Sequence, residues 1–297
     1  MGFSFPARLA TLVVAVPGTL YIVATPIGNL EDTSPRALRI LESVTCVACE
    51  DTRRTRRLLN RFGVSTRAIS CHKFNERERL EKVLRILRDG DDVALVSDGG
   101  TPAVSDPGAL LVEAAHQEGI RVSPVPGPSA PVALFSASGE SGGRFLFEGF
   151  LPHRAGERRR RLRELRPFHD AIILFESPRR IRDTLADLGE VMGEREVVVG
   201  RELTKIHETL LRGTPAEVQE SLPGPEVRGE ITVVITACDL GASGSVEARS
   251  GRVLEVWAES LAKAGGDQRG ALRRTARRLG MKRAELYRLL AELGEVR

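Results

Sequence analysis

The sequence predicts an α/β protein made of two successive α/β domains, followed by a small basic helical domain at the C-terminus. Three observations carry that expectation. Short apolar runs alternate with amphipathic stretches from Leu20 to about Val125, the pattern of a parallel sheet covered by helices on both faces. A second set of apolar runs follows at wider spacing, with a hairpin expected before the last of them, and this points to a mixed sheet. Beyond Cys238 the stretch DLGASGSVEARSG has the composition of a linker and leads into three helical periods.

Residues 1–17, MGFSFPARLATLVVAVP, are expected to be an extension without fixed structure. Arg8 ahead of a short apolar stretch has the outline of a signal peptide, but the stretch runs through Pro17 and Gly18 straight into the first strand. No apolar run reaches the ~18 residues of a membrane span. The first domain, residues 18–126, takes its strands from LYIVA, CVACE, AIS, VALVS and RVSPV. PRALRILESV supplies a helix after the first strand. ERLEKVLRILRDG supplies another, opened by Asn75 with Glu78 three residues on, a capping-box spacing. PVPGPSAPVALFSASGESGG, rich in Pro, Gly and Ser, reads as a crossover into the second domain, residues 127–240. That domain has strands near FLFEGF, AIILFES, REVVVGRE and EITVVIT and a helix at PRRIRDTLADLGEVM. The third domain, residues 251–297, has helical patterns near 252–264, 268–279 and 283–293. Ala276, Gly280 and Leu286 fall at helix-turn-helix spacing, although a three-helix bundle with a solvated basic face fits the same residues.

With 41% hydrophobic and 28% charged residues the composition is that of an ordinary globular protein. Aromatics, at 4%, are too few for a wall of stacking platforms against single-stranded nucleic acid. The net charge of +4 is unevenly held: residues 251–297 carry a net +5 and the rest of the chain −1, so an anionic partner is expected at the helical end. Cys46 and Cys49, with Cys71 and His72, have the outline of a zinc site. On a strand, however, residues three apart point to opposite faces, so reduced, buried cysteines and no metal are expected.

Four loops should leave the carboxyl ends of strands, where open α/β sheets bind ligands: ATPIGN, ACEDTRRTRRLLNR, SDGGTPAVSDPG and VPGPSA. The first has one glycine and no lysine, so it is neither a dinucleotide fingerprint nor a P-loop. In the third, Asp98-Gly99-Gly100 and Asp106-Pro107-Gly108 are turn formers. The paired glycines let backbone approach a ligand bearing a carboxylate and an adenine edge; two tight turns without a ligand are the alternative. Arg53, Arg54, Arg56 and Arg57 share one side of a helix beside that cleft, which suits a phosphate-rich substrate or, failing that, water. Arg158 to Arg161, with Arg163 and Arg166, allow the same two readings. GRELTKIHETL gathers Arg201, Glu202, Lys205, His207 and Glu208, a set that is costly without partners; a surface ion-pair network is the alternative.

Taken in order, ATPIGNLEDTSPRAL, CEDTRRTRRLL, HKFNE, SDGGTPAVSDPG, VPGPSA, FESPRRI, GRELTKIHE and GEITVVI resemble the tetrapyrrole methylase superfamily of S-adenosylmethionine-dependent enzymes. Within it they resemble the ribosomal RNA small subunit methyltransferase I branch. The likeness covers about Gly18 to Ala237, and the C-terminal helices look like that branch's small basic domain. It implies two α/β domains with the methyl donor in the cleft between them, a cytoplasmic homodimer, and 2′-O-methylation of a cytidine ribose in the 16S rRNA of the small subunit. By motif position it implies donor contacts at Ser97, Asp98, Gly99, Gly100, Thr101, Pro102 and Val104, at Ser129 and Ala130, and at Phe175, Glu176 and Leu203. In relatives acting on tetrapyrroles the first loop is Gly-rich and faces the acceptor; TPIGN departs from that pattern. Thr25, Pro26, Gly28 and Asn29 are then expected at the acceptor, with Arg53, Arg54, Arg56, Arg57 and Lys73. Methyl transfer from a sulfonium is mostly a matter of alignment, and a ribose hydroxyl needs a base or a cation beside it. Glu202 and Lys205 are the first candidates, then His72, Lys73 and Asp98. Two other functions compete: a small-molecule tetrapyrrole methylase, which has no use for a basic tail, and a DNA-binding regulator with a ligand-sensing α/β core, which leaves the titratable set in GRELTKIHE unexplained.

Overall fold

A computed structural model describes residues 16–71, 76–140, 143–193, 195–224, 226–238, 246–265, 267–279, 281 and 283–296. The expectation for residues 1–17 falls almost wholly outside these, as do His72, Lys73, Asn75 and Gly280. By contacts the chain divides into two units. One holds both sheets; the other holds the C-terminal helices together with Pro167–Asp170.

The first sheet contains β1 (Thr19–Val23), β2 (Cys46–Cys49), β3 (Ala68–Ser70), β4 (Val93–Leu95) and β5 (Arg121–Val125). They are all parallel, in the order β3-β2-β4-β1-β5. The intervening helices are α1 (Pro35–Ser43), α2 (Thr52–Arg61), α3 (Glu76–Arg88) and α4 (Ala109–Gln117). Helix α1 starts where Ser34 accepts a hydrogen bond from the Ala37 N–H and Pro35 takes the first turn, where its missing N–H costs nothing. Asp51 caps α2 in the same way, through the Arg53 N–H.

Strand alternation divides the core. Leu20, Cys46, Ala48 and Ile69 pack on one face with Leu84 and Leu111, while Val23, Val47, Cys49 and Ala68 pack on the other with Leu41 and Leu59. Cys46 and Cys49 therefore lie on opposite faces of the sheet, as a strand requires of residues three apart. Burial raises both thiol pKa values above the ordinary range.

Helix α5 (Ala130–Ala137) forms inside the Pro-, Gly- and Ser-rich crossover, which is thus only partly a loop. Pro131 sits in its first turn, where proline is compatible with a helix, and Leu134 anchors it beneath the second sheet. Burying a leucine completely contributes ~1.5–3 kcal/mol. The second sheet is formed by β6 (Phe145–Phe150), β7 (Ala171–Glu176), β8 (Val197–Arg201), β9 (Thr209–Gly213) and β10 (Ile231–Ile235), in the order β6-β7-β10-β8-β9. It is mixed: β6 and β7 are parallel, and β10 runs antiparallel to both β7 and β8. The expected hairpin is β8–β9, whose second strand, TLLRG, is an addition to the strands expected from sequence. Helices α6 (Ala155–Leu165), α7 (Ile181–Met192) and α8 (Pro215–Ser221) accompany this sheet. Register aligns Phe150 with Phe175, and Ile231 with both Glu176 and Arg201, so one end of the strands collects these residues.

The helical unit is α9 (Val246–Lys263), α10 (Gln268–Leu279) and α11 (Arg283–Glu292). Trp257, Ala271, Leu286 and Leu290 form its core.

Candidate active site

The loops after β1, β2, β4 and β5 meet that end of the second sheet around two adjoining cavities. The first, of about 390 Å³, is lined from the first sheet by Asp98, Gly99, Gly100, Thr101, Val104, Ser105 and Asp106 and by Ser129, Ala130 and Pro131. Phe150, Phe175, Glu176, Gly229, Glu230 and Ile231 are among those that close it from the second sheet. The other cavity, of about 360 Å³, is lined by the turn Thr25-Pro26-Ile27-Gly28, by Arg54, Arg57 and Arg61 of α2, and by Ser97, Asp98, Lys205 and Glu230.

Each loop is held by short-range bonds. Thr25 and Gly100 exchange both backbone hydrogen bonds at 2.9 Å, and the Thr25 hydroxyl donates to the Ser97 carbonyl at 3.2 Å. The Thr101 hydroxyl donates to the Pro128 carbonyl, tying the β4 loop to the β5 loop. Gly100 has φ +89°, and a Cβ at Gly99 would lie 3.2 Å from the Pro26 carbonyl oxygen. Ala103 and Ser105, in the same loop, also have positive φ, at 64° and 65°. Glu202 and Thr204 have it across the cleft, at 53° and 66°. Such conformations cost of order 1–3 kcal/mol each and persist only where the surroundings enforce them.

The turn after β1 packs on the β8–β9 loop. The Asn29 N–H donates to the Thr204 hydroxyl at 3.1 Å, and a Cβ on Gly28 would sit 2.4 Å from Lys205 Cγ. Glycine is needed there so that the lysine can lie across the turn. Lys205 Nζ donates to Glu202 at 2.8 Å and to Glu230 at 3.1 Å. Burial acts to neutralise Lys205, but the two carboxylates outweigh it and raise its pKa. For Glu202 burial is likewise outweighed by the lysine and the Glu230 N–H, and its pKa falls. Each group thus favours the other's charged form. Asp98 accepts from the Asp51 N–H at 3.2 Å and pairs with Arg54 at 3.3 Å. Asp106 has no such cation among the described residues: burial first, and then the Glu50 charge, pushes its pKa up to about 6.

The model for the Tetrapyrrole (Corrin/Porphyrin) Methylases matches residues 19–219. The chain belongs to that family. This methylase is 48% identical over 240 residues to a "Ribosomal RNA small subunit methyltransferase I" of Xylella fastidiosa, covering 80% of this chain and 88% of the relative. Proteins of the same name from Mesorhizobium japonicum (42%, covering 92% of each chain) and Thermotoga maritima (46%, covering 74% of this chain and 98% of the relative) agree. Among solved structures, diphthine synthase superposes with a TM-score of 0.58 at 16% identity, covering 73% of this chain and 89% of that one. Uroporphyrin III C-methyltransferase from Thermus thermophilus gives 0.52 at 21%, covering 73% and 97%. Those two likenesses show the fold. The methylase is a methyltransferase whose donor is S-adenosylmethionine.

The first cavity fits that donor on its own chemistry. It is of ligand size, has apolar walls at Phe150, Phe175 and Ile231, and carries no side chain at Gly99 and Gly100. The N-terminus of α5 opens onto it at Ser129 and Ala130, a favourable end for a carboxylate, while Asp106 offers negative charge to a cation.

Of the residues expected at the donor, Asp98, Gly99, Gly100, Thr101, Val104, Ser129, Ala130, Phe175 and Glu176 line the first cavity, and Ser97 borders the second. Pro102 and Leu203 line neither; Leu203 packs beside the Leu134 core. The Glu176 carboxylate accepts from the Ser177 N–H, Arg180 and Thr184, so it braces the turn after β7. Of the residues expected at the acceptor, Thr25, Pro26, Gly28, Arg54 and Arg57 line the second cavity. Asn29 is used as a cap for residues 30–32, Arg53 is exposed and bonded to Asp51, and Arg56 lies outside the lining. Lys73 lies outside the described residues. Lys205 lines the second cavity, and Glu202 reaches it through Lys205. Ile27, Arg61, Asp106 and Glu230 were not anticipated at the site. Arg61 had a signal, since it lies one helical turn beyond Arg57.

Proposed function

We propose that this methylase transfers a methyl group from S-adenosylmethionine to the ribose 2′-oxygen of a cytidine in the 16S rRNA of the small subunit. The donor occupies the first cavity and the target nucleoside the second. One observation carries the reading: Ile27, Arg54, Asp98 and Glu230 border both cavities, so an acceptor among the α2 arginines meets a donor on the glycine loop. The names of the relatives supply the substrate class. When bound, the donor supplies a methyl group on a sulfonium, with a neutral leaving group. Arg54, Arg57 and Arg61 hold the phosphates that flank the target ribose. Lys205, kept protonated by Glu202 and Glu230, presents positive charge to the reacting oxygen. Asp98, anchored by Arg54, accepts the hydroxyl proton. A cytoplasmic homodimer completes the reading. The free cysteines support a reducing compartment. Among the described residues no helix is long and apolar enough to cross a membrane.

The test offers labelled donor with small subunits, protein-free 16S rRNA or tetrapyrrole precursors. Label is expected on ribose, where it blocks alkaline cleavage of the neighbouring phosphodiester. Label on the tetrapyrrole alone would refute the proposal. Gly100→Val, which forces a β-branched residue to φ +89°, should weaken donor binding at least 100-fold in a folded protein. Wild-type affinity by calorimetry would remove the donor from this cavity.

A further inference from the structure

We infer that the helical unit carries a second RNA-binding surface, a groove between α9 and α10 that takes the phosphate backbone without reading sequence. The inference rests on the rRNA reading above. The groove has a volume of about 570 Å³ and presents Lys263, Arg273, Arg274, Arg277 and Arg278. Its one carboxylate, Asp267, is already in use, accepting from the Arg269 N–H at 3.0 Å at the start of α10. Arg274 donates to the Lys263 carbonyl at the end of α9, and Arg278 pairs with Glu259 at 2.7 Å. Arg273 and Arg277 are exposed and have no hydrogen-bond or ion-pair partner among the described residues. They lie four residues apart, about 6 Å along one helix face, which suits successive contacts along a phosphate chain.

A helix-turn-helix reading would put recognition on the second helix of the pair. Helix α11 does not suit that work: its two arginines are matched by two glutamates, and Leu286 and Leu290 are buried in the unit's core. Helix α10 carries five arginines and no acid. The surface is therefore electrostatic and sequence-blind, and RNA backbone fits it better than base edges do. The Thermotoga maritima relative, matched over 98% of its length in 219 residues, is too short to hold both this unit and the two sheets. The groove thus serves capture of the substrate, not the chemistry.

The experiment compares full-length wild type with Arg273→Ala/Arg277→Ala. It measures binding to 16S rRNA and to an unrelated RNA of equal length from 50 to 300 mM salt, alongside methyl transfer. The slope of log K against log salt should fall by about 1.4 to 1.8 for both RNAs, at roughly 0.7–0.9 for each phosphate no longer neutralised. KM for RNA should rise at least tenfold while kcat at saturating RNA stays unchanged. Arg273→Lys/Arg277→Lys should restore the slope, because phosphate needs charge there and not a guanidinium fork. An unchanged slope, or an equal fall in the control Arg160→Ala/Arg163→Ala on α6, would overturn the groove. A wild type that methylates no RNA would instead overturn the functional reading, so the two failures are distinct.

Discussion

Helices α6 and α10 read almost alike, ERRRRLREL against LRRTARRL, but their arginines have opposite fates. In α6, Arg158 is buried against Asp187 at 2.6 Å, and Arg159 reaches the same carboxylate. Arg161 forks onto Glu148 at 2.6 and 2.8 Å and adds Glu164. In α10, two of the four groove-facing arginines have no partner among the described residues. Helix α2 lies between these extremes: Arg53 and Arg54 are paired, whereas Arg57 and Arg61 face the second cavity without partners among the described residues. A run of arginines is thus a structural element where distant carboxylates meet it, and a binding surface where none do.

The sharpest test of that contrast is Arg158→Ala. It leaves the buried Asp187 carboxylate only its longer bond to Arg159 and should cost about 3 kcal/mol of stability, the low end for a broken buried pair, read as a lower urea midpoint at unchanged m. The rest of the contrast then predicts that RNA affinity of the folded fraction does not move. Next in size is Arg57→Ala/Arg61→Ala. Here stability should hold while KM for RNA rises ten- to a hundredfold and donor affinity is unaffected; a matching loss of stability would show that α2 behaves like α6.

The smallest effect extends the contrast to carboxylates. Glu176 is fully bonded, whereas Asp106 has no cation among the described residues and is pushed up to about 6. Its folded value lies above that of an unfolded aspartate. Stability that is complete below about pH 4 is therefore lost as pH rises through 6. Asp106→Asn should be more stable than wild type at pH 8, by about 1 kcal/mol after allowance for solvent screening. The cationic donor reverses the sense for binding. Wild-type donor affinity should climb a few-fold from pH 5 to pH 7, and a flat profile would return Asp106 to a purely structural role.

The same contrast explains what could be read in advance. Strands β2 and β4 were legible because burial on both faces leaves short, continuous apolar runs, CVAC and VAL, and β1, β3 and β5 were legible from their alternation with helical patterns. Helix α5 was hidden in its Pro-rich surroundings, since Pro131 looks like a breaker until the helix start is known. Strand β9 was obscured because TLLRG is a half-exposed edge strand. The loop positions of the site were legible as motifs, and the turn after β1 does face the second cavity. Which arginines stay free was not legible, because Asp187, Glu148 and Asp98 are brought to them by tertiary structure. Asn29 lines neither cavity for a local reason: its side chain caps the next turn.

The two reciprocal hydrogen bonds between Thr25 and Gly100 are, in effect, a one-rung ladder between the loop that lines the first cavity and the turn that lines the second. Two hydrogen bonds shared by one pair of residues favour opening as a unit. Lifting the glycine loop releases both amide protons at once and slackens the turn beneath the acceptor, so hydrogen exchange at Thr25 and Gly100 should keep one common tempo. On the proposed function, that rung would link opening of the donor chamber to opening of the acceptor chamber.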